Sequence, residues 1–345
     1  MFDNVNNKKI KIIAEAGVNH NGCLKRAQKM VEVAADCGVD YIKFQTFKTE
    51  NLVTLTANCA DYQQKNINNK VTTKSQYAML KNLELSFSEF EKLALYCQSL
   101  GVGFLSTAFD EECLDFLLTL NMDYLKIPSG EITNYPYLKS HALTNKKIIL
   151  STGMSSLYEV DNAVNVLKKF NDKVMNNLTI MHCTTEYPAP KQELNLLSIH
   201  KLRQNFKCDI GYSDHSNELL VPAIATTLGA TIIEKHFTLD KSLSGPDHKA
   251  SIEPNELKKM VEHVHDVSTI LGVREKEPTA SEIKNRFIAR KSIVAKRNIA
   301  EGELFSESNL TVKRVAISGI CPMNWEKIIG LKALKSFVID EVIEL

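Results

Sequence analysis

The chain is short of several features that would tie it to particular partners. It carries almost no net charge: 42 Lys and Arg stand against 41 Asp and Glu over 345 residues, a balance of +1. No basic face of the kind that grips a phosphate backbone is implied, so nucleic-acid binding is not expected. No apolar run approaches the roughly 18 residues that span a bilayer, and membrane insertion is not expected. The opening Met1-Phe-Asp-Asn-Val-Asn-Asn-Lys-Lys9 has no apolar signal core. The cysteines (Cys23, Cys37, Cys59, Cys97, Cys113, Cys183, Cys208 and Cys321) include no Cys-x-x-Cys pair. Scattered this way in a long chain, they read as reduced thiols of a cytoplasmic protein, several of them in the core. No Gly-x-Gly-x-x-Gly follows the first apolar run, which disfavours an open dinucleotide-binding sheet.

What is present is a repeated unit. A short apolar strand stops at polar residues, and an amphipathic helical stretch follows. The strands are expected at Lys11–Ala14, Tyr41–Phe44, Val102–Leu105, Tyr124–Ile127, Lys147–Leu150, Leu178–His182, Asp209–Tyr212 and Thr231–Lys235. Between them, Leu24–Cys37, Phe87–Ser99, Glu112–Leu120, Tyr158–Lys169 and Glu218–Leu228 show helical spacing, as in Leu24, Ala27, Met30, Val31 and Ala34. Several of these end in glycine, at Gly38, Gly101 and Gly229, as left-handed caps require. Eight such units predict a closed α/β architecture, a TIM (β/α)8 barrel, over residues 1–272. A charged linker at 273–285 then opens a capped helix near Ser281. Residues 286–345 read as a small β-rich domain with short pieces at Lys291–Ala295, Leu310–Lys313 and Phe337–Ile339. The polar connection from Lys48 to Ser86 is long enough to cover a site or carry a helix of its own.

In such a barrel the C-terminal strand ends share one face, where chemistry sits. Nearly every strand here finishes in a charged or hydrogen-bonding group. Lys43, Lys126, Thr107, Ser129, Ser151 and Ser213 form a basic, hydroxyl-rich set suited to a phosphate or carboxylate. A snorkelling side chain is the competing reading for either lysine alone. His215 and His236 end neighbouring strands and could share a divalent cation, with structural histidines as the alternative. Glu15, Glu131, Glu234 and Asp247 are the candidate acid–base or hydroxyl-gripping carboxylates, and the residues alone do not choose among them. His20 reads as a pin for the first loop.

The order of these motifs resembles the sialic acid synthase family over nearly the whole chain. The matching segments are Glu15-Ala-Gly-Val-Asn-His-Asn-Gly22, Lys43-Phe-Gln45, Lys126-Ile-Pro-Ser-Gly-Glu131, Leu150-Ser-Thr-Gly153, Tyr212-Ser-Asp-His215, Glu234-Lys-His-Phe237 and Gly245-Pro-Asp-His-Lys-Ala-Ser251. The resemblance implies a barrel followed by an antifreeze-like (SAF) domain, in a domain-swapped homodimer. It implies an enzyme that joins phosphoenolpyruvate to the open-chain form of an N-acetylated aminosugar. Lys43, Thr107, Lys126, Ser129, Ser151 and Ser213 would hold phosphoenolpyruvate, and His215 and His236 would hold Mn²⁺ or Mg²⁺. Glu15 would handle the proton, with Lys43 and Lys126 beside it. Gln45, Glu131, Tyr187, Asp247 and Arg314 would grip the sugar. The family's Pro-Gly-x-Gly after that arginine is replaced here by Val315-Ala-Ile-Ser318. N-acetylmannosamine, giving N-acetylneuraminate, is the first expectation. The diacetamido-trideoxy sugar of N,N′-diacetyllegionaminate is the second. A Schiff-base aldolase acting through Lys126, and a non-catalytic carbohydrate- or ice-binding protein, are the readings from other classes.

Overall fold

The computed structural model describes residues 9–59 and 75–345. The opening stretch and the middle of the polar connection between Lys48 and Ser86 lie outside the described residues. Contacts divide the chain after Gly272 into a larger unit and a second unit, Val273–Leu345.

Among the described residues the larger unit holds eight parallel strands: β1 Lys11–Gly17, β2 Tyr41–Thr46, β3 Gly103–Ala108, β4 Tyr124–Ile127, β5 Lys147–Ser151, β6 Leu178–Cys183, β7 Asp209–Asp214 and β8 Ile232–His236. Their order, β3-β2-β1-β8-β7-β6-β5-β4, is a barrel nearly closed, with no ladder recorded between β3 and β4. The strands are apolar on both faces because helices cover the outside and side chains fill the inside. Thus Ile12, Ala14 and Ile13 are all fully or almost fully buried. The helix Leu24–Asp36 buries Ala27, Met30, Val31 and Ala34, the stripe its spacing predicts. Gly38, Gly101 and Gly229 lie at φ of +79°, +72° and +96° at helix ends. Ser86 with Glu89, and Ser156 with Glu159, start two of the helices as reciprocal caps.

One helix is shorter than its pattern. It spans Val221–Thr227, not Glu218–Leu228. The buried Lys235 ammonium takes the carbonyls of Ser216 at 2.5 Å and Glu218 at 3.2 Å, which holds that segment in a loop.

In the second unit, a helix at Ala280–Ala289 opens on a Thr279–Glu282 cap. Two antiparallel strands follow, β9 Lys291–Ala295 and β10 Leu310–Arg314. Ile293, Ile299, Phe305, Leu310, Phe337 and Ile343 make a core of their own. The strand expected over Phe337–Ile339 is reduced to a single bridge between Phe337 and Ile299. The backbone N–H groups of Val338 and Ile339 donate to the Glu341 and Asn298 side chains, so no ladder extends there.

Candidate active site

Strand alternation sorts the strand-end residues into two sets. In register, Glu15 lies opposite both Lys43 and His236, Gln45 opposite Thr107, and Ser213 opposite Glu234. Opposed residues share a face, so Glu15, Lys43, Gln45, Thr107, Ser213, Glu234 and His236 line the barrel interior. Residues one position away face the helices. Ser106 bonds Thr46 at 2.7 Å, the His182 ring meets the Leu194 carbonyl at 2.7 Å, and Asp214 pairs with Lys235.

The interior set forms one buried ionic cluster. Lys43 Nζ lies 2.6 Å from Glu15 Oε2 and 3.6 Å from Glu234 Oε2, and donates to Thr107 Oγ1 at 3.3 Å. Lys126 Nζ donates to Glu234 Oε1 at 2.8 Å, and Ser213 Oγ donates to the same oxygen at 3.1 Å. Charges this far from water are retained only with partners. The two carboxylates answer differently. Burial pushes Glu15 up to about 7, against the pull of Lys43 and with Glu234 adding to the rise. Burial also works against Glu234, but Lys126 and Lys43 outweigh it and hold that carboxyl well below the usual range. Lys43 is raised because Glu15 and Glu234 overcome its desolvation. The sequence named Glu234 only as one carboxylate among several, yet it stands at the centre of the cluster.

Around the cluster are polar groups without a partner. Among the described residues, the buried Ser151 Oγ, Thr185 Oγ1 and His236 Nδ1 have no hydrogen-bond partner. Ser129 Oγ accepts from the Gly153 N–H at 2.9 Å and lies 3.3 Å from Cys183 Sγ. A side chain at Gly153 would collide with Thr185 Oγ1 and Ser129 Oγ, so position 153 must be bare for these hydroxyls to converge. Orphaned polar groups in a native interior are uncommon, and three of those among the described residues belong to the ends of, or the loops after, β5, β6 and β8.

The two imidazoles meet the geometric demand for a shared cation. Their centroids are 5.4 Å apart, and an ion about 2 Å from a nitrogen of each ring can bridge that span. His215 Nδ1 faces the Thr184 carbonyl at 2.6 Å, which makes it the protonated nitrogen and leaves Nε2 with a lone pair. Burial lowers His215 to about 4 and His236 well below its ordinary value, with His215 adding to the second shift. Both are therefore neutral, as ligands must be. Among the described residues no third His, Cys, Asp or Glu completes a cluster with them, so water or substrate would fill the remaining positions.

The other predicted residues are distributed around this centre. Gln45 Nε2 donates to Glu15 Oε1 at 3.4 Å. A bulge between Glu15 and Gly17 ends β1, with Gly17 at φ +50°. A Cβ at Gly17 would meet Glu15 Oε1 at 3.2 Å, Gln45 Nε2 at 3.4 Å and Asp247 Oδ2 at 3.8 Å, which brings the buried Asp247 to the same notch. Burial raises Asp247 to about 6. The Tyr187 ring packs against His215 at a tilt of 31°, centroids 4.2 Å apart. Glu131, half-buried, accepts from Asn134 Nδ2 at 2.6 Å within the turn after β4. Arg314 ends β10, exposed, in the second unit.

Comparison with known proteins gives this geometry a family context. Residues 30–276 match the NeuB family and residues 290–344 match the SAF domain. The N,N′-diacetyllegionaminic acid synthase of Campylobacter jejuni is 50% identical, with 97% of this chain and 99% of that protein aligned. The protein of the same name from Legionella pneumophila is 45% identical over 92% of this chain and 89% of its own length. Among solved structures, the N-acetylneuraminic acid synthetase of Leptospira borgpetersenii, in complex with citrate, superposes with a TM-score of 0.68 at 34% identity, covering 81% of this chain and 92% of that one.

Proposed function

The chain belongs to the NeuB family, and on that premise we propose that it condenses phosphoenolpyruvate with the open-chain aldehyde of 2,4-diacetamido-2,4,6-trideoxymannose to give N,N′-diacetyllegionaminate and phosphate. It is a synthase, as its named relatives are. The choice of sugar reverses the order that the motifs suggested. It rests on 50% and 45% identity to the two legionaminic acid synthases, against 34% to the N-acetylneuraminic acid synthetase. N-acetylmannosamine is the second reading, supported by that structural likeness.

The observation that carries the reaction class is the buried cluster of two lysines and two glutamates, with Thr107 and Ser213 bonded into it and Ser151 unpartnered. Lys43, Lys126, Thr107, Ser129, Ser151 and Ser213 bind the phosphate and carboxylate, point charges and directed donors together. His215 and His236 would hold Mn²⁺ or Mg²⁺, which when bound would supply Lewis-acid polarisation of a carbonyl oxygen. Glu15, whose carboxyl burial raises against the pull of Lys43, is placed to pass a proton to the aldehyde oxygen as C3 of the enol phosphate attacks the aldehyde carbon. Water adds at C2 and Glu15 is positioned to take up the proton released. The C2–O bond to phosphate then breaks as the C2 hydroxyl becomes the ketone, its proton leaving with the phosphate. Glu15, Gln45 and Asp247 around the Gly17 notch grip the sugar, with Glu131, Tyr187 and Arg314 completing the set. An aldolase mechanism needs Lys126 as a free amine, whereas its ammonium is paired with Glu234 at 2.8 Å. The protein is read as a homodimer, the state that the family resemblance implies.

The test is phosphate release from phosphoenolpyruvate with each sugar in turn. Release that requires a sugar, with the diacetamido sugar giving the higher kcat/KM, is expected. Release without any sugar, or with none of them, defeats the synthase reading, and preference for N-acetylmannosamine defeats the choice of sugar.

A further inference from the structure

Asp247 sits on the loop that leaves β8, far along the chain from the other groups at the Gly17 notch, and something must hold it there. The bonds that do so run in one direction. Asn19 Nδ2 donates to the Phe237 carbonyl at 2.9 Å and to Ser251 Oγ at 2.9 Å. Ser251 Oγ donates to the Asp247 carbonyl at 2.7 Å. The polarity of this chain is forced. A carbonyl can only accept, so the single Ser251 proton goes to Asp247, and the Ser251 lone pair must receive from Asn19. The Asn19 amide is likewise oriented without ambiguity, because the Phe237 carbonyl also needs a donor. Asn19 is 1% exposed and Ser251 0%, so no water can substitute freely for either bond.

A second stitch runs parallel. Asn21 Nδ2 donates to the Ser244 carbonyl at 2.9 Å, and Asn21 Oδ1 lies 3.2 Å from His248 Nε2. His248 Nδ1 in turn meets Thr238 Oγ1 at 2.7 Å. Two asparagines on the loop after β1 thus tie down the loop after β8. Only the first reaches Asp247 through a side-chain hydroxyl.

We propose that Asn19, acting through Ser251, is the positioning residue that sets Asp247 at the sugar-binding notch. Among the described residues neither side chain bonds Lys43, Lys126, Thr107 or Ser213, so the relay acts on the sugar and leaves phosphoenolpyruvate binding alone. The inference rests on the reading of Asp247 as a sugar ligand. Displacement of a binding group by about 1 Å can cost as much as 10²-fold.

The experiment is steady-state kinetics with both substrates on Asn19→Ala, Ser251→Ala, their double variant and Asp247→Asn. Ser251→Ala removes one methyl-sized hydroxyl and preserves the Asn19 bond to Phe237, so it reports even if Asn19→Ala fails to fold. Each single relay variant is expected to raise the sugar KM about tenfold, with the phosphoenolpyruvate KM changed by less than about twofold. The double variant is expected to match the worse single, since both break one relay. Equal effects on both substrates, an unchanged sugar KM, or additive losses would overturn the inference. If Asp247→Asn itself leaves the sugar KM unchanged, the assignment of the notch falls first and the relay with it.

Discussion

Glu234 and Lys235 are consecutive on β8, both buried and both ion-paired, and they face opposite sides of the same strand. Outside the barrel, Lys235 is fully met: Asp214 Oδ2 at 2.5 Å and two loop carbonyls surround its ammonium. Asp214 is met as well, accepting from the Ser216 N–H at 2.9 Å and Tyr212 Oη at 3.3 Å. Inside, the cluster around Glu234 shares charges unevenly and is bordered by hydroxyls and a ring nitrogen with no partner. Burial and charge are common to the two sides, and what separates them is completion. The satisfied pair fixes a loop, while the unsatisfied cluster is arranged for groups that arrive later.

That contrast can be broken by substitution. Lys235→Met leaves Asp214 buried without its counter-charge, and chemical denaturation should show a loss of about 3–5 kcal/mol. A smaller loss would mean that the outer pair does not hold the loop. Lys126→Met should instead lower kcat/KM by roughly 10²–10³-fold, the scale of removing one preorganised charge contact, with the loss of stability limited by Lys43, which still lies 3.6 Å from Glu234 Oε2.

His141 extends the comparison to a buried group with no opposite charge beside it. Burial lowers its imidazole from 6.5 to about 4, with the Tyr137 carbonyl opposing weakly. Its contribution is complete above pH 6.5, where folded and unfolded chains both leave it neutral. It is lost as pH falls toward 4, because the unfolded chain takes the proton first. Relative to wild type, His141→Gln should flatten that acid slope, by up to about 3 kcal/mol across the window. Identical slopes would contradict the assignment. The smallest effect concerns Ser151→Ala, which removes a hydroxyl that is buried and unmet. Stability should hold or rise by about 1 kcal/mol, while the phosphoenolpyruvate KM rises about tenfold. A loss of stability would show that this hydroxyl is bonded in the folded protein.

Much of this was legible from the sequence because strand ends announce themselves. The apolar runs ending at Lys43, Lys126, Ser213 and His236 are where the strands end or nearly so, and the barrel order follows from their number. Which strand-end residues face inward was also encoded, in the two-residue spacing of Lys43 with Gln45, Ser213 with His215, and Glu234 with His236. Ser106, His182 and Asp214, one position away, face the helices by the same alternation. Other facts had no local signal. Asn19 and Ser251 are 232 positions apart, and nothing in either neighbourhood points to the other. The centrality of Glu234 depends on two lysines from β2 and β4 reaching one carboxylate, which only the closed barrel arranges. The shortened helix at Val221 turned on a lysine from the next strand.

Calorimetric titration of phosphoenolpyruvate into the free protein is the most direct test of where the anion sits. Wild-type protein should bind it, and Lys126→Met should bind roughly 100-fold more weakly, as loss of a buried charge-assisted contact requires. Binding by Lys126→Met as tight as wild type would place the anion elsewhere and contradict the account.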